Sequence, residues 1–286
     1  MNAEQFDNWL GENQLSSSSV FKKPLIMGVV NVTSDSFSDG GKYLDSDKAA
    51  EHALHLINQG ADIIDVGGES SKPGALQLPL EIELSRVIPV IKKIRQYSDI
   101  CISIDTYKPE VMQATVESGA NFINDIYALR QEGALAMAAQ LGVPVCLMHM
   151  QGQPQTMQAN PDYKKGVLPE LVEFFAERIH RCEAIGIAKN RLILDPGFGF
   201  GKQVSHNMAL LRQLNSFKQF ALPILLGVSR KSTIGSLLNK EVDERLIGSI
   251  TLAVYAALNG VKILRVHDVD ETKQALALIE AIYQTI

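Results

Sequence analysis

The chain lacks most of what marks a secreted or membrane-bound protein. Its three cysteines, Cys101, Cys146 and Cys182, are odd in number and widely spaced, without the short Cys or His intervals of a zinc site or a disulfide scaffold. They read as reduced core residues. No apolar run approaches the ~18 residues of a membrane span. Residues 1–20 are polar and acidic, with neither the basic start nor the apolar stretch of a signal peptide. This segment is expected to be a short polar tail, and the protein is expected in the cytoplasm with no membrane partner. Basic residues are also scarce: 27 Lys and Arg face 32 Asp and Glu, for a net charge of -5. That balance argues against nucleic acid or an anionic lipid surface as a partner, so any anion site must be local.

What is present is alternation. Eight short runs rich in β-branched residues, at 25–30, 62–66, 101–104, 121–126, 143–148, 192–194, 224–228 and 263–266, read as strands. Segments of helical period lie between them at 48–59, 81–96, 109–118, 133–141, 168–185, 207–214, 243–258 and 271–285. Pro109 suits a first helical turn, and Gly60, Gly119, Gly142, Gly186 and Gly260 suit the left-handed residue that closes a helix. Strands alternating with crossover helices imply a parallel sheet, and eight repeats suggest closure. The length of 286 residues is near the ~250 of one such barrel. The expectation is a single (β/α)8 TIM barrel over 21–286 following the tail, with an open doubly wound sheet as the alternative.

The residues at or just past the strand ends are all polar: Asn31, Glu69, Asp105, Asn124, His149, Asp195, the Ser229-Arg230-Lys231 run, and Arg265 with His267. In a barrel these ends converge on one face, where catalytic groups are expected. Asp105, Asn124 and Asp195 follow apolar runs and need partners, because a buried unpaired charge is costly. The N–H donors of an aminopyrimidinone edge would satisfy them, with Lys231 reaching a ring oxygen or nitrogen; pairing with Lys or Arg is the alternative. Arg265 and His267, two apart on one strand, point to the same side and suit phosphate oxygens. The glycine-rich run from Asp195 to Lys202 resembles a nucleotide loop but fails the tests. Pro196 and Gln203 stand where Walker A needs Gly and Ser or Thr, and Lys202 stands where a dinucleotide fingerprint needs its third Gly. Its glycines are expected to let backbone turn closely around a ligand. The loops 32–45 and 67–78 are candidate lids. His52 and His55 read as a solvated helix face, not a metal pair.

Six strings in order carry a resemblance: MGVVNVT from Met27, DSFSDGG from Asp35, IIDVGGES from Ile63, DPGFGFGK from Asp195, SRK from Ser229 and RVHDV from Arg265. Together they resemble the dihydropteroate synthase family of pterin-binding barrels. The resemblance implies condensation of a 6-hydroxymethyl-dihydropterin diphosphate with p-aminobenzoate, releasing pyrophosphate, by a homodimer. It implies that Asp105, Asn124, Asp195 and Lys231 hold the pterin, and that Asn31, Ser71, Lys72, Arg265 and His267 hold the diphosphate. Mg2+ would accompany the diphosphate near Asn31, and p-aminobenzoate would lie among Phe37, Pro73, Ser229 and Lys231. Asp105, Asp195, Lys231 and Asn31 would be the catalytic set. The sequence departs from the family pattern at Ser34, where Pro is usual, and at Ser71-Lys72, where Thr-Arg is usual. Lys72 keeps the charge but loses the planar two-pronged contact of Arg. The rival readings are a methyltetrahydrofolate-dependent methyltransferase and a non-catalytic pterin-binding protein.

Overall fold

A computed structural model describes residues 1–13, 21–32 and 42–284, with side chains of the second helix described from Ser46 onward. In chain order the elements are α1 (Ala3–Asn13), β1 (Leu25–Asn31), α2 (Lys42–Gln59), β2 (Ile63–Gly67), α3 (Leu80–Tyr97), β3 (Cys101–Asp105) and α4 (Pro109–Glu117). Then follow β4 (Phe122–Asp125), α5 (Ala134–Leu141), β5 (Val145–Met148), α6 (Val167–Ala184), β6 (Leu192–Asp195), α7 (Val204–Arg212) and β7 (Leu225–Leu226). The chain ends with α8 (Ser232–Leu238), α9 (Leu246–Leu258), β8 (Ile263–Val266) and α10 (Val269–Gln284).

All eight strands are parallel, in the order β6-β5-β4-β3-β2-β1-β8-β7. The two ends of this sheet meet through one parallel bridge, Leu194 to Ile224, with the Leu194 N–H donating to the Pro223 carbonyl at 3.0 Å. The sheet is therefore a barrel with one thin seam, as the eightfold alternation predicted. Strand β7 is shorter than the expected 224–228. Beyond Leu226 the backbone leaves the ladder toward Arg230, which sits at φ 57.

Side chains alternate between two environments. Ile26, Val30, Ile64, Val66, Ile102, Ile104, Leu194 and Val266 belong to the core between sheet and helices. Met27, Ile63, Cys101, Phe122, Cys146, Ile193, Leu225 and Ile263, one from each strand, form a second core inside the barrel. A strand's period of two then aims the residues two positions further on at the same interior. These are Val29, Asp65, Ser103, Asn124, Met148, Asp195, Gly227 and Arg265. Across one pleat the interior changes from apolar to charged.

The expected polar tail is corrected for its first thirteen residues. Asn2 and Gln5 cap α1 reciprocally, each side-chain oxygen accepting the other's backbone N–H at 2.9 Å. The helix turns Phe6 and Leu10, both 1% exposed, into the bottom of the barrel, where Phe6 packs on Phe122 with ring centroids 5.3 Å apart. Asn2 bridges Ile100, and the Cys101 N–H donates to the Met1 carbonyl at 2.7 Å. A barrel interior open at its base would expose the second core to water, and this helix closes it.

Helix α8, like α1, was not expected; the other helices overlap their predicted spans. The five predicted helix-closing glycines all have positive φ. Because α1 seals the end of the barrel away from the charged layer, Phe6→Ala should lower the unfolding free energy by about 3–5 kcal/mol while leaving kcat unchanged. Urea melts and a turnover assay on the same preparation check this. A loss below about 1 kcal/mol would mean that the helix does not plug the core.

Candidate active site

The charged layer is organised by one cation. Arg265 on β8 donates from Nε to Asp65 Oδ2 at 2.6 Å and from a terminal nitrogen to Asp105 Oδ2 at 3.0 Å. It thereby ties β8 to β2 and β3. Burial opposes the Arg265 charge, but Asp65 and Asp105 more than offset this and hold its pKa above the ordinary value. Asn124 Nδ2 adds contacts to Asp65 at 3.3 and 3.5 Å. Asp105 is pushed up to about 7, first by burial and then by Asp65, with Arg265 opposing. Its pairing with Arg265 is the alternative that the sequence left open for these carboxylates.

Across the mouth, Asp195 ends β6 and accepts the Gly197 N–H on Oδ1 at 2.7 Å. Burial raises its pKa against the pull of Lys231, the Gly197 N–H, Lys202 and Arg265. Lys231 follows β7, donates to the Phe198 carbonyl and lies 4.4 Å from the centre of the Phe200 ring. Burial pushes Lys231 down to about 8, with Asp195 as the main opposing charge.

The glycine run from 197 to 201 requires glycine for two reasons. Gly197, Gly199 and Gly201 have φ of 66, 83 and 58, which L side chains rarely adopt. A Cβ would also stand 1.9 Å from the His149 carbonyl oxygen at Gly197 and 3.0 Å from Lys231 Cδ at Gly199. The turn is held by Asn207, which accepts the Gly199 N–H at 2.8 Å, and by Tyr163, whose hydroxyl donates to the Gly201 carbonyl at 2.8 Å. No phosphate-cradle motif is needed to explain it.

His267 and Ser229 form a pair beside this cluster. The Ser229 hydroxyl oxygen accepts the His267 backbone N–H at 3.3 Å and lies 3.0 Å from Nδ1. Either tautomer satisfies this contact, since the hydroxyl can donate to a bare Nδ1 or accept from an Nδ1–H. Burial, and then Arg265 and Arg230, push His267 down to about 4, so the ring is a neutral donor near pH 7. Arg265 turns into the barrel toward its two carboxylates while His267 is engaged by Ser229, so the two side chains have separate partners.

Of the remaining expected residues, Asn31 ends β1 opposite Gly67 and is part-buried. Ser71 lines a small cavity with Glu69, Glu83, Asp105 and Tyr107. Lys72 and Pro73 stand exposed on the loop after β2. Phe37 and Ser34 lie outside the described residues. Among the described residues no group of three or more His, Cys, Asp or Glu could hold a metal.

Asp65 and Lys202 are among the buried charges that were missed. Asp65 is fully buried in mid-strand, and its place two residues after the inward-facing Ile63 was the available signal. Lys202 is 3% exposed, and its Nζ donates to the Gly197 and Phe200 carbonyls at 3.0 and 3.1 Å and lies 3.0 Å from His149 Nδ1. In the sequence Lys202 stands out only as the end of the glycine-rich DPGFGFGK string.

With this geometry in view, a family model described as pterin binding enzyme matches residues 27–267. A dihydropteroate synthase of Escherichia coli K12 is 55% identical over 258 residues, covering 90% of this chain and 91% of its own. Two solved structures from Xanthomonas albilineans are similar in fold, each covering 93% of this chain and 95% of its own. One is a dihydropteroate synthase with 4-aminobenzoic acid, at TM-score 0.87 and 45% identity. The other is a dihydropteroate synthase in complex with 7,8-dihydropteroate, at TM-score 0.84 and 44% identity. The chain belongs to the pterin-binding enzyme family. Within it the chain stands with the dihydropteroate synthases, which are transferases, and not with the methyltransferases weighed above.

The buried lysines make a pH signature. Burial pushes Lys202 down to about 7 from an ordinary 10.5. Between those values the unfolded chain binds more protons than the folded one, so stability rises with pH across the window and the penalty is in full force below it. Lys202→Met should therefore flatten the rise of unfolding free energy between about pH 8 and 10, by up to about 1.4 kcal/mol per pH unit. Urea melts across that range check it. An unchanged slope would show that Lys202 titrates as an ordinary lysine.

Proposed function

We propose that this chain condenses 6-hydroxymethyl-7,8-dihydropterin diphosphate with p-aminobenzoate, giving 7,8-dihydropteroate and pyrophosphate for folate synthesis. The observation that carries this reading is the charged layer at the strand ends. Asp105, Asn124 and Asp195 offer acceptors for the N–H groups of a pterin, and Lys231 offers a donor to its ring. The relatives solved with 4-aminobenzoic acid and with 7,8-dihydropteroate support both substrate halves.

The chemistry follows from charge. Breaking the C–O bond to the diphosphate leaves positive charge on the pterin methylene and ring, facing Asp105 and Asp195, and sends the electron pair to the departing anion. Arg265, the exposed Lys72 and His267 are the groups assigned to that anion. The arylamine then attacks the methylene carbon and loses a proton. Among the described residues the Ser229 hydroxyl lies beside His267 Nδ1, but burial and Arg265 push that imidazole down to about 4, too weak a base to activate a serine, so no covalent enzyme intermediate is invoked. Cys101 and Cys146 are buried, and burial pushes both thiols up, Cys101 to about 12.

Asn31 fits a part in magnesium binding: one neutral side-chain oxygen at the mouth matches a hard cation that takes its other ligands from diphosphate and water. Magnesium bound there would neutralise the leaving group. Phe37, Pro73 and Ser229, with Lys231, are assigned to p-aminobenzoate in this reading. A homodimer is part of it as well. Ile247, Tyr255 and Leu258 share a face of α9, and Ile247 is 79% exposed, a surface suited to a second copy. So is residence in the cytoplasm, which three buried free thiols support; no helix is long and apolar enough to cross a membrane among the described residues.

A coupled pyrophosphate assay with both substrates and magnesium tests the reaction; pyrophosphate release that depends on p-aminobenzoate is expected, and its absence would overturn the assignment. In the same assay Asp195→Asn should weaken pterin binding by about 2–5 kcal/mol, because the amide replaces an acceptor with a donor. A normal pterin affinity would remove Asp195 from the site.

Closure of the first two loops over pyrophosphate should make binding ordered. Titration of p-aminobenzoate should then show tight binding only when pyrophosphate, magnesium and a pterin product analogue are present. Equal affinity without them would favour a concerted displacement.

A further inference from the structure

A polar network beneath the loop after β2 takes no part in the chemistry above. Its centre is Lys108, just before α4. Lys108 Nζ donates to Glu69 Oε2 at 2.5 Å, to Glu83 Oε2 at 2.5 Å and to the Leu78 carbonyl at 2.8 Å. An ammonium has three donors, and these acceptors use all of them. Glu69 Oε2 also accepts the Leu78 N–H at 3.1 Å, and its Oε1 accepts the Tyr107 hydroxyl at 2.9 Å. Thr106 Oγ1 donates to Glu83 Oε1 at 2.7 Å.

Glu69 opens the loop after β2 and Leu78 closes it, so one side chain grips both ends. The gripping residues Thr106, Tyr107 and Lys108 directly follow Asp105, whose carboxylate is paired with Arg265. The cavity lined by Glu69, Ser71, Glu83, Asp105, Thr106 and Tyr107 lies between the network and the charged layer. Close approach is built in: a Cβ on Gly68 would stand 2.8 Å from Val87 Cγ1 and 3.1 Å from Glu83 Cγ. The loop's outer part is tied as well, since the Gly74 N–H donates to the Pro154 carbonyl at 2.9 Å. Burial opposes the Lys108 charge, yet Glu69 and Glu83 more than offset it and hold its pKa above the ordinary value. Glu83 is raised by burial, with Lys108 and Thr106 opposing.

We infer that Lys108 is a positioning residue that holds the loop carrying Ser71, Lys72 and Pro73 in register with Asp105, coupling the diphosphate and p-aminobenzoate side of the site to the pterin side. The inference rests on the substrate assignment proposed above. A lysine that served only to stabilise the fold would leave substrate affinities unchanged once the protein was folded.

The test is a split in affinities. Lys108→Met alone leaves two buried carboxylates facing one another, so the double variant Lys108→Met/Glu83→Gln is the safer construction, with Lys108→Arg as the conservative variant. Steady-state kinetics should show the KM for p-aminobenzoate raised roughly tenfold or more in the double variant, since small misplacements of positioning groups cost that much. Calorimetry with 6-hydroxymethylpterin should show a far smaller change in affinity, because the strand-borne groups assigned to the pterin are fixed by the barrel ladder and not by the base of the loop. Lys108→Arg should recover part of the KM. A double variant with a lowered Tm but an unchanged KM would overturn the inference, as would parallel loss of both affinities. Failure of the wild-type protein to release pyrophosphate would instead overturn the substrate assignment.

Discussion

The structure depends on holding one part-buried guanidinium between two carboxylates. Arg265 reaches from β8 to Asp65 on β2 and Asp105 on β3, across β1, and so pins three strands from inside the barrel. Removing a partner from such a set leaves an uncompensated buried charge, which costs far more than the intact set contributes. The site inherits its electrostatics from this arrangement. Asp105 is poised near neutrality because burial and Asp65 push it up while Arg265 pulls it down. Asp195 and Lys231 stand opposite in a second pair of charges, also perturbed first by burial. A polar, charged ligand entering the mouth therefore meets groups whose hydration has already been given up, and fixed charges of this kind act strongly on a changing charge distribution.

The barrel was legible because its two periods are clean. Strands rich in β-branched residues alternate with helices closed by glycine, and each strand's polar end is visible in the sequence. The same period of two would have exposed Asp65. Counting two residues back from Gly67, or two forward from Ile63, puts a carboxylate inside the barrel, in mid-strand and away from the polar strand ends. Lys202 was harder to read. Its partners are carbonyls of a glycine turn, and backbone acceptors carry no residue-type signal. Helix α1 was obscured by its polar composition. Only Phe6 and Leu10 of it are fully buried, with Trp9 packed partly against the same core, and the Asn2-Gln5 cap is a weak mark. The separation of Arg265 from His267 depends on side-chain direction, and equal parity on a strand does not determine it.

The loops proposed to bind p-aminobenzoate and diphosphate and the strands proposed to hold the pterin are held in place in different ways. Strand-borne groups such as Asp105 and Asp195 are fixed by the ladder and by the packing behind it. Ser71, Lys72 and Pro73 have no ladder, and their placement relies on side-chain contacts at the loop's base. The departures from the family pattern at Ser71 and Lys72 fall on this less constrained side of the site. None falls on the strand-borne residues assigned to the pterin.

The seam between β6 and β7 gives the barrel a mechanical direction. Elsewhere neighbouring strands are joined by continuous ladders, while here one bridge near Leu194 joins the two ends of the sheet. Asp195 and the glycine turn lie on one side of that seam, and Lys231 lies on the other, meeting across it through the Phe198 carbonyl. A planar ring held by both Asp195 and Lys231 would work as a rivet across the weakest joint in the wall. Thermal breathing of the barrel and the fit of the ring are then one coordinate: what loosens the joint opens the pocket, and what fills the pocket tightens the joint.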